Sequence, residues 1–256
     1  MKRIGIIWML LAMFAVAVQS QSAKQYFKAG DEFSKKLNFK DAIDQYNKAI
    51  ELDPDFDKAY IQRAMAYSNQ GDYENAAKDF DRALVFDEKD AELYFFSGEA
   101  HHKKGSNIAA LEKLNRAIDL KGNFLAAYQV RSVVYLQLEQ YDKALEDCKK
   151  CLRLKEDDRG YFNLAQVYEK LDMYNEAEQA YLRAIESDPS YALAHHNLGV
   201  LLDLYLHRPA DALPHYRRYQ DLLAEPDAAV GRWIIDLERR VGVVDETPRV
   251  AQEDGV

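Results

Sequence analysis

Glycine and proline are scarce in this 256-residue chain, at 11 and 6, so collagen, low-complexity disorder and a turn-rich β-sandwich are disfavoured on composition. Two cysteines cannot build a disulfide framework. Tryptophan is equally rare, at two, against 17 tyrosines, an imbalance that demands a positional explanation. No block of Lys and Arg stands ready to neutralise phosphates, and the formal net charge is −9, which argues against nucleic acid as a partner. Long apolar runs are missing too, apart from Ile4 to Val18, and that run is shorter than the roughly 20 residues a bilayer-spanning helix needs. With Lys2-Arg3 ahead of it and Val18-Gln19-Ser20 behind, it reads as a signal peptide over 1–20, cleaved after Ser20. The expected product is exported, periplasmic or secreted, with no membrane insertion after cleavage; an uncleaved N-terminal membrane anchor is the alternative.

What is abundant is a spaced pattern. Ala42, Ala76, Ala110 and Ala144 lie 34 residues apart, and Ala177 and Ala212 follow at 33 and 35. Seven residues after the first five comes a second small residue: Ala49, Ala83, Ala117, Cys151 and Ala184. Between the two stands a larger one in most copies, namely Tyr46, Phe80, Leu114 and Tyr181, with Cys148 in the fourth. Upstream, ring-bearing residues recur seven apart, as Tyr26/Phe33, Tyr60/Tyr67, Tyr94/His101, Tyr128/Tyr135 and Tyr161/Tyr168. Spacings of three, four and seven keep residues on one helical face, so each unit reads as two amphipathic helices, A and B. Breakers such as Asn69-Gln70-Gly71-Asp72 and Asp188-Pro189 fall between them. The small positions let two helices approach closely beside a large ring, so the tyrosines are mostly architectural.

Asn197-Leu198-Gly199, with Ala42…Tyr46…Ala49…Pro54 and Ala177…Tyr181…Ala184…Pro189, resembles the tetratricopeptide repeat family. The resemblance implies an all-α, right-handed solenoid of six helix-turn-helix repeats over 21–241: 23–56, 57–90, 91–124, 125–157, 158–191 and 192–225. The sixth repeat departs from the pattern, with a longer joining segment Leu206-His207-Arg208-Pro209 and bulky Tyr219 at its second small position. A capping helix over 227–241 is expected to bury Val230, Trp233, Ile234, Leu237 and Val241, with Arg232, Asp236, Arg239 and Arg240 on the opposite, solvent side. The polar stretch 242–256 reads as a disordered tail.

Candidate chemistry is thin. Cys148-Lys149-Lys150-Cys151 has the C-x-x-C spacing of a redox pair or half a metal site, but both cysteines occupy core positions well inside a helix. His101, His102, His195, His196, His207 and His215 include no i, i+4 pair of the kind zinc helices use, and His101 and His195 replace core aromatics of helix A. Asp53-Pro54-Asp55-Phe56-Asp57 begins like a calcium loop but lacks its Gly and closing Glu, and reads instead as an inter-repeat turn with Asp57 near a helix N-cap. No catalytic or nucleotide-binding fingerprint occurs, and the 33 residues after Leu223 are too few for a catalytic domain, so neither an enzyme nor a cofactor is expected.

The resemblance also implies a site. In the family, ligands touch the second, fifth, ninth, twelfth and thirteenth residues of each repeat, along the concave face lined by helix A. Carried onto this chain, the peptide-binding groove comprises Phe27, Asp31, Ile61, Met65, Phe95, Glu99, Gln129, Val133, Leu136, Phe162, Gln166, His196 and Val200. An apolar stripe of this kind suits a protein or peptide segment with hydrophobic anchors, or it packs on the next repeat or on a second copy of the chain. The clamp that family members use for acidic chaperone tails is missing, since its places hold Phe27, Asp31, Gln62, Glu92 and Phe96. The expected function is a non-enzymatic adaptor or assembly factor of the cell envelope that binds a protein or peptide. Two rivals remain: a self-associating structural protein, a homo-oligomer whose groove is never filled, and a thiol or metal protein using Cys148 and Cys151.

Overall fold

The computed structural model describes residues 20–242, so the expected leader and tail lie outside the described residues save for Ser20 and Gly242. The described residues are helical throughout, contain no strand, and divide into two compact units at Leu138/Glu139, within the fourth repeat. The first unit holds α1 (20–35), α2 (Phe39–Leu52), α3 (Asp57–Asn69), α4 (Tyr73–Ala83), α5 (Ala91–Lys103), α6 (Asn107–Leu120) and α7 (Leu125–Gln137). The second holds α8 (Tyr141–Leu154), α9 (Asp158–Lys170), α10 (Tyr174–Ser187), α11 (Ala192–Val200), α12 (Pro209–Leu222) and α13 (Ala228–Arg240). No described helix is long and apolar enough to cross a membrane.

Inside each helix pair the contact is a small residue against a large one. Ala42, Ala49, Ala76, Ala83, Ala110, Ala117, Ala177 and Ala184 are buried, as are Tyr46, Phe80, Leu114 and Tyr181 between them. Across from those large side chains helix A carries a residue with almost no side chain. A Cβ added at Gly98 would come to 2.8 Å from Leu114 Cγ and 3.3 Å from the Ala110 carbonyl oxygen, and at Gly30 it would enter the Tyr46 ring.

The turn joining A to B repeats a backbone signature. Leu37, Gly71, Gly105, Glu139, Asp172 and His207, one in each repeat, all adopt left-handed φ between 53° and 86°. Only two of the six are glycine, the residue for which that conformation has no steric cost. The following amide then reaches back to helix A, as in Asp72 N to Tyr67 O at 2.9 Å and Ser106 N to His101 O at 2.8 Å.

The first unit also shows a longer period than 34. Phe27 packs at a tilt on Phe56 with ring centroids 5.0 Å apart, and 68 residues later Phe95 packs in the same way on Phe124 at 5.1 Å. Tyr60 Oη donates to the Pro54 carbonyl and Tyr128 Oη to the Gly122 carbonyl. Arg63 donates to Asn47 at 2.6 Å and Arg131 to Asn115 at 2.7 Å, and Arg63 also forks onto Asp79 through two 2.7 Å bonds. Helix caps alternate in step. Phe56 and Phe124 precede α3 and α7 and supply no side-chain cap, whereas Asp90 caps α5 through the amides of Glu92 and Leu93. The cap before α3 is Phe56, and Asp57, expected near that N-cap, follows it as the first helical residue.

In the second unit the extra residue of the sixth repeat is absorbed as a π-helical turn, Leu201–Tyr205, continuing α11. Leu206 N bonds Leu201 O at 3.0 Å, five residues back, and His207 then turns left-handed. Helix α13 packs on α12. It buries Val230 and Leu237, but the expected stripe is not wholly covered: Trp233 is 43% exposed, its ring meeting Tyr216 edge-on and lying 6.0 Å from His196.

The second unit also holds a histidine pair, His195 buried and His215 half-buried. His195 Nε2 is 3.3 Å from the Pro189 carbonyl, which only accepts, so that nitrogen carries the proton and His195 Nδ1 accepts from His215 Nδ1 at 3.1 Å. Burial lowers both pKa values, and that of His215, facing His195, falls to about 4. The unfolded chain, with histidines near 6.5, then binds more protons than the fold between those two values.

Two outcomes follow from these contacts. Gly98→Ala overpacks the A–B contact and lowers stability by about 1 to 3 kcal/mol in urea unfolding, whereas Gly122→Ala, whose added Cβ meets nothing within 4 Å, leaves it within about 0.5 kcal/mol. The histidine pair's contribution to stability is lost as pH drops from about 6.5 towards 4; in thermal melts across that range, His215→Gln removes most of the slope relative to the wild type.

Candidate functional site

The inner-face positions on helix A fall into two classes. The rings at the fifth position serve packing: Phe27 lies on Phe56 and Tyr46, Phe95 on Phe124 and Phe96, and Phe162, only 8% exposed, on Tyr191 and Tyr181. Ile61 and Met65 pack partly against the Phe80 cluster. Gln129, Val133, Leu136 and Gln166 are half-buried on α7 and α9 and line none of the cavities described below. His196 sits among Tyr219, Tyr216 and Trp233, with Nδ1 2.9 Å from Asn197 Oδ1.

The second class is polar. Asp31 accepts from the buried Tyr46 hydroxyl at 2.8 Å, and Glu169 from the buried Tyr181 hydroxyl at 2.5 Å. Burial raises the Tyr46 and Tyr181 pKa values, so both remain donors. Burial also pushes the Glu169 carboxyl above its ordinary range, against the Tyr181 bond that favours the charged form. Core tyrosines of helix B thus hold carboxylates on the inner face of helix A.

Cavities open beside these groups. In the first unit, Asp31, Ser34, Lys35 and Gln62 line about 290 Å³. Farther along, Met65 and Phe96 join Ser68, Asn69, Glu99 and Lys103 around about 160 Å³, so the structure brings Met65 and Glu99 to one pocket. In the second unit, Val200, Asp203 and Leu204 face Tyr216, Trp233, Asp236 and Arg240 across about 330 Å³. The last group corrects the expectation for the capping helix. Asp236 and Arg240 do not lie opposite Trp233; positions 233, 236 and 240 share a face by the same i, i+3, i+7 rule that joins Val230 to Leu237. Periodicity places Trp233 within the Val230–Leu237 stripe, and only tertiary packing says how far along that stripe the covering reaches.

The other chemical candidates resolve into structure. Cys148 and Cys151 are buried and unbonded to each other, and burial pushes the Cys151 thiol up to about 12, away from the thiolate that redox or metal chemistry needs. Among the described residues no three His, Cys, Asp or Glu side chains gather where they could hold a metal ion. Ser97, Asp81 and His101 assemble in the first unit, but Asp81 sits in the middle, accepting from Ser97 Oγ at 2.7 Å and meeting His101 Nε2 at 2.9 Å. The serine hydroxyl is held by the Asp81 carboxylate, out of reach of the histidine, and is fully buried, so no substrate can meet it as a nucleophile.

Comparison with known proteins agrees with this architecture. Models described as tetratricopeptide repeat match residues 57–90, 159–191 and 125–158, and a TPR repeat model matches 30–71; together they cover half of the chain. The TPR repeat-containing protein YpiA of Bacillus subtilis (strain 168) is 29% identical over 143 residues, 56% of this chain and 34% of that protein, so this chain spans about a third of that relative's length. The crystal structure of MamA protein superposes with a TM-score of 0.63 at 27% identity, covering 67% of this chain and 94% of that one. A tetratricopeptide repeat protein from Parabacteroides merdae reaches a TM-score of 0.73 over 87% of this chain and 88% of its own, at 18% identity, a likeness of fold alone. Proteins built of such repeats generally mediate protein–protein interactions. On its repeated helix pairs, their small-against-large contacts and these matches, the chain belongs to the tetratricopeptide repeat family.

Proposed function

We propose that this chain is a non-enzymatic adaptor or assembly factor of the cell envelope, which takes a peptide or protein segment on the inner faces of its A helices. The observation that carries the reading is the cavity on α3 and α5. Its floor, Met65 and Phe96, is apolar, and its rim, Asn69, Glu99 and Lys103, offers a donor and both signs of charge. The rim ion pair, Lys103 Nζ to Glu99 Oε1 at 3.1 Å, is solvent-exposed and weak enough to be exchanged for contacts with a partner. One apolar side chain flanked by backbone hydrogen-bonding groups would fill such a site. The fully buried Ser97 and the buried thiols favour binding over catalysis. Export rests on Lys2-Arg3 followed by the apolar run Ile4 to Val18.

Asn69→Glu combined with Lys103→Glu alters only exposed rim positions. Partner capture by cross-linking in intact cells is expected to fall at least about tenfold with unchanged helical circular dichroism, a loss of roughly 1.4 kcal/mol or more. Capture at the wild-type level would reject the site. For export, mass spectrometry of the purified cellular protein should find a chain beginning at Gln21; a chain retaining the first twenty residues would reject cleavage after Ser20.

A further inference from the structure

The cavity between the π-helical turn and α13 has a composition found in neither cavity of the first unit. Its walls are Val200, Leu204, Tyr216 and the part-exposed Trp233. Asp203 belongs to the π-helical turn that the inserted residue creates, and its side chain is only 9% exposed. Its Oδ1 is buried without a hydrogen bond. The cation nearest to it is Arg240, whose Nη1 lies 3.0 Å from Asp203 Oδ1 and 3.7 Å from Asp236 Oδ2, at ion-pair distance but without hydrogen-bond alignment to Asp203. Arg240 is itself 47% exposed, so it reaches in from the mouth.

Two carboxylates against one guanidinium leave the cavity with an excess negative charge. A buried carboxylate oxygen lacking its hydrogen bond makes full pairing of that charge favourable. Trp233 supplies the flat aromatic face on which a guanidinium, more readily than an ammonium, lies. Arg240 therefore demonstrates the ligand chemistry from within the chain while satisfying it incompletely.

We propose that this cavity receives an arginine side chain of a protein partner, with Asp203 and Asp236 as its counter-charges, Trp233 as its stacking wall and Arg240 as a displaceable resident. That the arginine belongs to a protein rests on the function proposed above; the pocket itself is probed by a defined small molecule, so either idea can fail without the other.

The full chain, labelled with ¹⁵N, is titrated with N-acetyl-arginine amide while the Trp233 indole resonance, assigned with Trp233→Phe, is followed. The matching citrulline amide keeps the shape without the charge, and the glutamate amide reverses it. The expected result is a saturable shift with the arginine compound alone. Arg240→Gln, which removes the resident, should tighten binding at least about threefold. Asp203→Asn and Asp236→Asn should each weaken it at least about threefold. Asp236 is exposed, so its variant tests the pocket even where Asp203→Asn perturbs folding. Equal binding of citrulline and arginine, or weaker binding in Arg240→Gln, would overturn the proposal.

Discussion

One contact recurs through both units and the rest depends on it: a helix-A position with little or no side chain lies against a large residue of helix B. Gly30 faces Tyr46, Gly98 faces Leu114 and Gly199 faces Tyr216, each so closely that a single added carbon would collide. The close approach buries those large side chains completely, and burial of this kind is the main favourable term in folding. The same contact aims the tyrosine hydroxyls. With their rings fixed in the pair, Tyr46 and Tyr181 reach through to Asp31 and Glu169 on the inner face. An architectural tyrosine therefore also sets the position of a carboxylate on helix A.

Much of this could be read from the chain because steric demand leaves a compositional trace. Ala, Gly or Cys at one place and Tyr, Phe or Leu four residues on can be counted without coordinates. The pairing of Phe27 with Phe56 and of Phe95 with Phe124 was also in the sequence, but a search at 34 residues overlays unlike neighbours and averages a 68-residue alternation away. Those rings could be placed on helix A, yet their being spent on packing could not, because the partner ring is a cap residue 29 positions later. The left-handed turns at Leu37, Glu139, Asp172 and His207 were hidden for a different reason: only Gly71 and Gly105 advertise that conformation.

The candidate site was the least legible part. Family positions named one face of helix A, and the structure sorts its residues by what packing leaves over. At the fifth positions Phe27, Phe95 and Phe162 go to the core, while at later positions Met65, Glu99, Lys103 and Val200 open onto cavities. Residues of the capping helix could not be assigned at all by repeat position, since α13 belongs to no repeat. Periodicity gave one apolar stripe for α13, and the covering of Val230 and Leu237 leaves Trp233 beside Asp236 and Arg240 at the cavity.

The sixth repeat ties these threads together. One inserted residue cannot fit an α-helical hairpin without displacing everything after it, unless the helix widens locally. Here α11 widens into the turn Leu201–Tyr205, so the Gly199–Tyr216 contact survives while Asp203 becomes buried. Burial of a carboxylate is costly unless it is paired, and the pairing comes from Arg240 on a helix outside the repeat pattern. The need to keep one steric contact thus explains the widened turn and the buried acid, and it explains why the helix that closes the unit carries charge beside the cavity as well as apolar residues on its covered side.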